Sequence, residues 1–311
     1  MTLNIAVGIP TIGRAAILRE TLAELARQTR RPDQVIVCGA RAEDVAGAAD
    51  AYPNTVVQLA EPGLPRQRNA VIDAAAQADI VMFFDDDFLP DPAYLAEIER
   101  HMAADPSIVV ATGLVLADGI KGAGLTAAEG RAILARHAAS GDARHAASGD
   151  TRHAASGDRD PARVRPVFAG YGCNMAVRLA PMRAHALRFD ERLPLYGWQE
   201  DVDLSCRLAT FGRVVQIDAA CGVHLGVKSG RGSGLRLGYS QVANPLYLCG
   251  KRLGYPLPRA LEHIVRNMAM NLLRAARPEP YVDRRGRLRG NFLALRDLTR
   301  RRMAPERILD L

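Results

Sequence analysis

Short apolar runs and segments with helical spacing alternate along the first third of the chain. Runs rich in β-branched and aromatic side chains predict buried strands at residues 3–9, 34–37, 55–59 and 80–84. Apolar residues recurring every three or four positions predict helices at residues 17–25, 42–51 and 67–76. Because the links are short, this alternation predicts an α/β domain with a mixed, mostly parallel sheet and helices on both faces.

The run at 80–84 ends in three carboxylates, Asp85, Asp86 and Asp87. Side chains two apart on an extended chain point to the same side, so Asp85 and Asp87 are expected to project together. In open α/β sheets, ligands bind at the carboxyl ends of strands, and paired carboxylates suit a hard divalent cation. A solvated acidic turn before Pro90 would explain the triplet equally well.

Residues 136–159 form three tandem copies of Arg-His-Ala-Ala-Ser-Gly-Asp, each followed by one variable residue. Each copy carries Ser-Gly-Asp, which breaks helices, and no apolar residue larger than alanine. The repeat is therefore expected to be an insertion on a surface loop. Its histidines, His137, His145 and His153, could bind metal, but solvated side chains copied by duplication are the simpler interpretation.

The composition is that of an ordinary globular protein, with 48% hydrophobic and 24% charged residues. Five widely spaced cysteines without a Cys-x-x-Cys pair favour reduced thiols in the cytosol over a zinc site or a disulfide framework. Neither a secretory signal nor a membrane-spanning run is expected. No Gly-x-Gly-x-x-Gly or Walker A motif follows a strand, which weakens the dinucleotide oxidoreductase and NTPase classes.

Charge divides the chain into two parts. Residues 1–224 carry 23 Lys and Arg against 28 Asp and Glu, a net charge of −5, and residues 225–311 carry 18 against 6, a net charge of +12. A basic segment predicts an anionic partner, either membrane headgroups or nucleic acid, although a merely solvated basic surface explains it as well.

Within the basic part, apolar residues recur at helical spacing across residues 257–273 with arginines between them. The pattern predicts a mainly helical, basic C-terminal extension over residues 225–311, next to a domain over residues 1–224. The apolar face either packs against the domain or lies on an anionic membrane surface.

Several short motifs accompany the acidic strand in a fixed order. They are Pro10-Thr11, Arg68-Asn69, Asp85-x-Asp87, Gly172-Cys173-Asn174-Met175 and Trp198-Gln199-Glu200-Asp201-Val202-Asp203-Leu204 with Arg207-Leu208. Together they make residues 3–224 resemble the inverting glycosyltransferases of family 2, which have the GT-A fold, a Rossmann-like nucleotide-diphospho-sugar transferase fold.

The resemblance implies a nucleotide-diphosphate sugar as donor and Mg²⁺ or Mn²⁺ as cofactor. The implied metal ligands are Asp85, Asp87 and His224. The implied donor-binding residues are Pro10, Thr11, Arg14, Arg66, Asn69, Asp85 and Asp86. A lone histidine is more often structural, and a threonine or surface arginine often caps a helix or is solvated, so these assignments are hypotheses. The glycine-rich basic loop from Gly226 to Gly234 is expected to close over the diphosphate.

The resemblance also implies a general base and an acceptor site. Asp201 is the expected base and Glu200 the second candidate, although acidic residues at a helix start also complement the helix dipole. Trp198 and Asn174 are expected to bind the acceptor, a saccharide or a lipid-linked sugar. The protein is expected in the cytoplasm, with peripheral attachment to the inner face of the plasma membrane as a further hypothesis, and no nucleic acid partner is expected.

One departure concerns the base of the nucleotide. Many family members carry an aspartate at the end of the second strand that binds uracil, whereas this chain has Cys38-Gly39-Ala40 there. Guanosine and thymidine donors therefore stay open beside uridine. Two alternatives to a glycosyltransferase also remain. One is a sugar nucleotidyltransferase, although this chain lacks the glycine-rich signature of that class near the first strand. The other is a catalytically silent sugar-nucleotide-binding or scaffold protein.

Overall fold

The computed structural model describes residues 2–143, 163–228 and 232–311 and is built around one mixed sheet. The strands are β1 (Ile5–Pro10), β2 (Gln34–Gly39), β3 (Val56–Leu59), β4 (Ile80–Phe84), β5 (Phe88–Pro90), β6 (Ile108–Asp118), β7 (Val164–Pro166), β8 (Asn174–Arg178) and β9 (Arg213–His224). The helices are α1 (Ala15–Leu25), α2 (Ala48–Ala51), α3 (Leu64–Ala74), α4 (Tyr94–Ala104), α5 (Ala127–Ala143), α6 (Leu179–Ala184), α7 (Glu200–Leu208), α8 (Gly234–Gly250), α9 (Leu257–Arg274) and α10 (Arg284–Thr299).

The strand order is β3-β2-β1-β4-β8-β6-β9-β5, and β7 also pairs with β9. Strands β1 to β4 pair in parallel, as the alternation of strands and helices predicted. Beyond β4 the pairing is mixed, because β8 runs antiparallel to both β4 and β6 while β6 and β9 are parallel. The sheet is therefore mostly parallel only in its first half.

Two hydrophobic cores cover the two faces of the sheet. Side chains alternate along β1, so Ile5, Val7 and Ile9 enter the core under α1 and α4, whereas Ala6 enters the core under α3 and α7. All of β4 is buried, which fits its continuous apolar sequence. Because β4 is buried on both faces, the acidic triplet that follows it has a fixed position at the edge of the sheet.

Three local predictions differ from the structure. The helix predicted at 42–51 is a 3₁₀ turn, Ala42–Val45, followed by the single turn of α2, because Gly47 adopts a positive φ of 74° between them. The apolar run at residues 214–217 predicts only a short strand, whereas β9 extends to His224 through small and polar residues at 218–220. The first repeat copy forms the end of α5 instead of a loop, since its alanines favour helix over the single glycine, and the later copies, with His145 and His153, lie outside the described residues.

The C-terminal part is helical, as expected. Residues of α8, α9 and α10 form a core of their own that includes Tyr239, Ile264 and Ala294. A second cluster joins Leu248 and Tyr255 to Leu193 and Cys206, and so the extension shares part of its core with the preceding domain. None of the described helices combines the length and the apolarity that crossing a bilayer requires.

Candidate functional site

Strand pairing brings the acidic triplet and His224 together. Asp85, Asp86 and Asp87 form the turn between β4 and β5, and β5 pairs with β9 so that Phe88 lies opposite His224. Strand β6 lies on the other side of β9, with Asp118 opposite the same histidine. The ends of three strands therefore bring Asp85, Asp87, Asp118 and His224 together at one edge of the sheet.

Asp85, Asp87 and His224 each offer a ligand atom within 4.8 Å of the others. His224 Nε2 lies 3.4 Å from Asp87 Oδ1 and 3.9 Å from Asp85 Oδ2. Asp118 Oδ1 bonds to Nδ1 of the same ring at 2.9 Å and so fixes the ring orientation with Nε2 toward the carboxylates. Two carboxylates and one imidazole form a donor set that suits Mn²⁺.

The charges around His224 change its titration. Burial alone favours the neutral ring, but the carboxylates of Asp118 and Asp87 outweigh it and raise the pKa of His224 to about 10. The same contacts hold the pKa values of Asp87 and Asp118 below their usual range, although burial opposes this. Sequence reasoning missed Asp118, since nothing but the strand register connects it to His224.

Asp86 points to the opposite side of the turn and is fully buried. Thr11 Oγ1 donates to its carboxylate at 2.6 Å, and Arg14 forms an ion pair with it at 2.7 Å. Burial raises the pKa of Asp86 to about 7, although Arg14 opposes the shift. Arg14 also lies 3.5 Å from Asp87 and is 21% exposed. The three side chains hold one another in place, and their contact with the donor stays a prediction.

Arg68 joins the two halves of the site. Its side chain is 1% exposed and pairs with both Glu200 and Asp85, the latter at 3.3 Å. The guanidinium lies 5.5 Å and 5.4 Å from the ring centroids of Phe83 and Phe189. In the sequence, Arg68 stands out only as part of the Arg68-Asn69 motif. The burial of its guanidinium could not be predicted from the sequence, since its partner Glu200 lies 132 positions away.

Glu200 and Asp201 open α7, as predicted, but they have different surroundings. Glu200 is buried against Arg68, and burial together with the charge of Asp201 raises its pKa to about 8, with Arg68 acting in the opposite direction. Asp201 is only partly buried, and its Oδ2 accepts a hydrogen bond from Gly172 N at 2.8 Å. Burial also raises the pKa of Asp201, although Arg68 opposes this. Of the two carboxylates, Asp201 is the more accessible.

Glu200 and Asp201 follow directly after a tight turn. Leu195, Gly197 and Gln199 all have positive φ angles, of 58°, 64° and 74°. Such angles are costly for residues other than glycine, and strained backbone of this kind clusters at functional sites. Trp198 lies in the same turn, half-buried, with its ring 6.3 Å from that of His263 in α9.

Two other predicted binding residues have structural roles. The amide of Asn69 donates to Phe189 O at 3.0 Å and to Glu191 at 2.9 Å, and the side chain is buried. Asn174 is fully buried, and Thr112 Oγ1 donates to its side-chain oxygen at 2.5 Å. Both side chains are thus occupied by contacts within the protein, and their binding of donor and acceptor stays a prediction.

At the neighbouring strand ends, Pro10 is buried as the last residue of β1, whereas Arg66 on α3 stays 44% exposed, 3.6 Å from Glu191. Gln67, which sequence reasoning missed, donates to the carbonyls of Thr11 and Cys38 and ties the ends of β1 and β2 together.

An aspartate does lie just beyond β2, at Asp44. Its oxygens accept from Gly13 N at 2.7 Å, Ala40 N at 3.0 Å and Arg41 N at 2.9 Å, so the carboxylate braces the loops around the strand ends. Sequence reasoning missed this role, because Asp44 follows the last residue of β2 by five positions.

The loop after β9 begins at the metal-ligand cluster. Leu225 N donates to the backbone oxygen of Asp87 at 2.9 Å, and Val227 N donates to its carboxylate at 2.7 Å. Residues 229–231, in the middle of the predicted closing loop, lie outside the described residues. The described start of the loop is thus fixed to the acidic turn.

Comparison with known proteins bears on the first part of the chain. Residues 6–140 match the family model described as Glycosyl transferase family 2. The match contains the acidic triplet, Arg14, Arg66 and Arg68, and ends before Asp201 and His224. No curated protein matches the sequence.

Solved structures resemble most of the chain. The mannosyltransferase PcManGT from Pyrobaculum calidifontis, solved with GDP-Man and Mn²⁺, is 16% identical with a TM-score of 0.53, covering 96% of this chain and 88% of its own. S. aureus TarS 1-349 is 14% identical with a TM-score of 0.52, covering 88% and 72%. Glucosyl-3-phosphoglycerate synthase from Mycobacterium tuberculosis, solved with Mn²⁺, UDP and glucosyl-3-phosphoglycerate, is 18% identical with a TM-score of 0.50, covering 80% of each chain. These likenesses confirm the GT-A fold.

Proposed function

Residues 6–140 belong to glycosyl transferase family 2, and on this premise we propose that the protein transfers a sugar, with inversion, from a nucleotide-diphosphate sugar to a hydroxyl group of a saccharide or lipid-linked acceptor. The observation that carries the proposal is the junction at Arg68. One buried guanidinium contacts Asp85 of the metal-ligand cluster and Glu200 of the acidic pair on α7. A transferase needs these two halves side by side, since the diphosphate leaves from one and the acceptor attacks from the other.

Asp85, Asp87 and His224 would hold Mn²⁺ or Mg²⁺. A cation held there would stabilise the negative charge that develops on the leaving diphosphate. The bond to Asp118 keeps His224 Nε2 directed at the site. The pairing of β5 with β9 keeps Asp87 next to His224. Exposed Arg66 is proposed to contact donor phosphate or ribose, next to the backbone at Pro10 and Thr11.

Asp201 is proposed as the general base that takes the proton from the acceptor hydroxyl. The bond from Gly172 N to Oδ2 and the bond from Val202 N to Oδ1 fix the carboxylate plane. Burial raises the pKa of Asp201, which makes the carboxylate a stronger base than a solvated one. Glu200, which accepts a hydrogen bond from Arg68, is proposed to position the guanidinium and not to react. Trp198 is proposed to contact the acceptor.

Ligand-induced stabilisation tests the donor site without knowledge of the acceptor. UDP, GDP and dTDP would each be added with and without Mn²⁺, and the midpoint of thermal unfolding recorded. We expect one diphosphate to raise the midpoint only when Mn²⁺ is present, because a ligand that binds only the folded state stabilises it, and does so more the tighter it binds. The shift should vanish in Asp87→Asn. Metal-independent stabilisation, or none with any diphosphate, would contradict the proposal.

A further inference from the structure

The outer face of α10 carries arginines around one exposed aromatic ring. Arg285, Arg289, Arg296 and Arg300 are exposed, and Phe292 between them is 55% exposed. Their spacing of four, three, four and four residues follows the helix pitch, so all five side chains lie along one side. We name this set the arginine stripe.

The arginine stripe faces away from the catalytic domain. The opposite side of α10 is buried on α8, where Tyr239 OH donates to Asp297 Oδ2 at 3.3 Å and Gly290 meets the backbone of Leu235. Helix α8 in turn contacts the domain, since Asn244 donates to Trp198 O at 2.8 Å. Helix α8 thus separates the arginine stripe from the active-site turn.

Helix α9 exposes an apolar face. Leu257, Leu261, Val265 and Leu272 are between 48% and 65% exposed, and partly buried Met268 lies among them at helical spacing. We name these five residues the apolar stripe. Four large aliphatic side chains exposed in one row are uncommon on a surface that contacts only water.

The apolar stripe also points away from the catalytic domain. On the other side of α9, the guanidinium of Arg259 lies 3.7 Å from the ring centroid of Phe168, and His263 lies against Trp198. At about 100° per residue, these two contacts fall opposite the row that contains Leu261. Both stripes therefore lie on the sides of their helices that face away from the catalytic domain.

We propose that the two stripes dock the protein on an anionic lipid bilayer. Arginines bind headgroup phosphates, while Phe292 and the apolar stripe enter the boundary between headgroups and acyl chains. Charge favours this occupant, since residues 225–311 carry 18 basic against 6 acidic residues. A second copy would bring two basic extensions together, and nucleic acid would leave the aliphatic row without a partner. The inference concerns the C-terminal helices and does not depend on the transfer reaction.

Vesicle co-sedimentation of the full chain tests this proposal. Vesicles of phosphatidylcholine and phosphatidylglycerol in a two-to-one ratio should pellet the protein, and pure phosphatidylcholine vesicles should not. Each arginine near an anionic surface strengthens binding about fivefold. Replacing the four arginines of the arginine stripe by glutamine should therefore weaken binding at least tenfold, and so should high salt. Val265→Ser with Leu272→Ser should also weaken it.

The matched control removes four exposed arginines from the catalytic domain, Arg19, Arg27, Arg31 and Arg100, and should bind vesicles as the wild type does. Thermal unfolding of each variant establishes that it is folded. Equal pelleting with both vesicle types, no pelleting, or equal losses in control and stripe variants would overturn the proposal. Dissociation of a dimer by the Val265 and Leu272 changes, without loss of vesicle binding, would refute the role of the apolar stripe.

Discussion

At the scale of single residues, Arg68 explains why distant motifs of the sequence occur together. Its guanidinium donates to Gly172 O at 2.7 Å, while Gly172 N donates to Asp201. A Cβ at position 172 would lie 3.1 Å from the Asp201 carboxylate and 3.2 Å from the Arg68 guanidinium, so glycine allows this close approach. The arginine, the glycine and the acidic pair therefore form one connected unit.

Replacing Arg68 by methionine should destabilise the fold strongly. Burial raises the pKa of Glu200 to about 8, so the carboxylate is ionised above that pH. There, removing Arg68 leaves a buried charge unpaired, which costs about 3–5 kcal/mol. Glu200→Gln in the same chain removes that charge and should restore part of the loss. Unfolding in urea measures both free energies. A loss below about 1 kcal/mol for Arg68→Met, or no recovery in the double variant, would refute the ion pair as a stabilising contact.

Asp201→Asn should abolish most transfer while preserving donor binding. Positioned proton transfer contributes about 10²–10⁴-fold to the rate. Asparagine still accepts the hydrogen bond from Gly172 N but cannot act as the base. The turnover rate and the thermal shift with nucleoside diphosphate and Mn²⁺ give the two readouts. Near wild-type turnover in Asp201→Asn, with a strong loss in Glu200→Gln, would transfer the role to Glu200.

Asp118→Ala should weaken Mn²⁺ binding by about 10–100-fold, the range typical for residues that orient a metal-ligating histidine. Asp118→Asn should lose less, since the amide oxygen still accepts from His224 Nδ1. Calorimetric titration with Mn²⁺ measures the affinities. Asp73→Ala, at an exposed carboxylate paired with Arg188, is the control and should bind Mn²⁺ like the wild type. Equal affinity in Asp118→Ala and the control would contradict the orienting role.

The positions of site residues were predictable where a local sequence pattern determines them. The strand alternation placed Asp85 and Asp87 on one side, and the structure gathers both with His224. Asp86 and Asn174 could not be placed, because their burial depends on contacts with Arg14 and Thr112 across more than sixty positions. Tertiary contacts of that kind leave no periodic signal in the sequence.

At the scale of elements, the positions of strands and helices along the chain were more predictable than the pairing of the strands in the sheet. The strand predicted at 80–84 has these bounds in the structure, since a buried apolar run has one natural conformation. The pairing of β9 with both β5 and β6 was not predictable, and it is this pairing that brings His224 beside Asp87 and Asp118. The site therefore depends on register, which the sequence pattern leaves open.

The turn before α7 gives a test at this scale. Gly197 has φ of 64°, and a Cβ there would lie 2.9 Å from Pro65 Cδ. Gly197→Ala should therefore cost about 1–2 kcal/mol of stability and slow transfer, because the turn carries Trp198 and Asp201. Urea unfolding and turnover measure both effects. Gly122→Ala is the matched control, since nothing lies within 4 Å of the added methyl group; similar values for both variants would contradict this role.

At the scale of the whole molecule, the charge boundary near residue 224 is not accompanied by a break in the core. Leu193 and Cys206 share a hydrophobic cluster with Leu248 and Tyr255. Lys251 also pairs with Asp190 at 2.8 Å and contacts Asp203. We propose that residues 1–224 and 225–311 differ in charge and architecture but fold together.

A chain that ends at Lys228 should therefore lack a stable fold. The truncation keeps the contacts of Leu225 and Val227 with Asp87 but exposes the shared cluster around Leu193 and Cys206. Circular dichroism during thermal unfolding is the measurement, with the full chain as reference. A cooperative transition near that of the full chain would contradict the shared core and make the extension a separate folding unit.

Product analysis tests the central claim most directly. The protein would be incubated with UDP-, GDP- and dTDP-sugars in Mn²⁺, and the phosphate products separated. We predict that one donor slowly releases nucleoside diphosphate, that release requires the metal, and that Asp87→Asn abolishes it. Release of pyrophosphate would identify a nucleotidyltransferase. Metal-independent release, or no turnover with any donor, would contradict a metal-dependent glycosyltransferase.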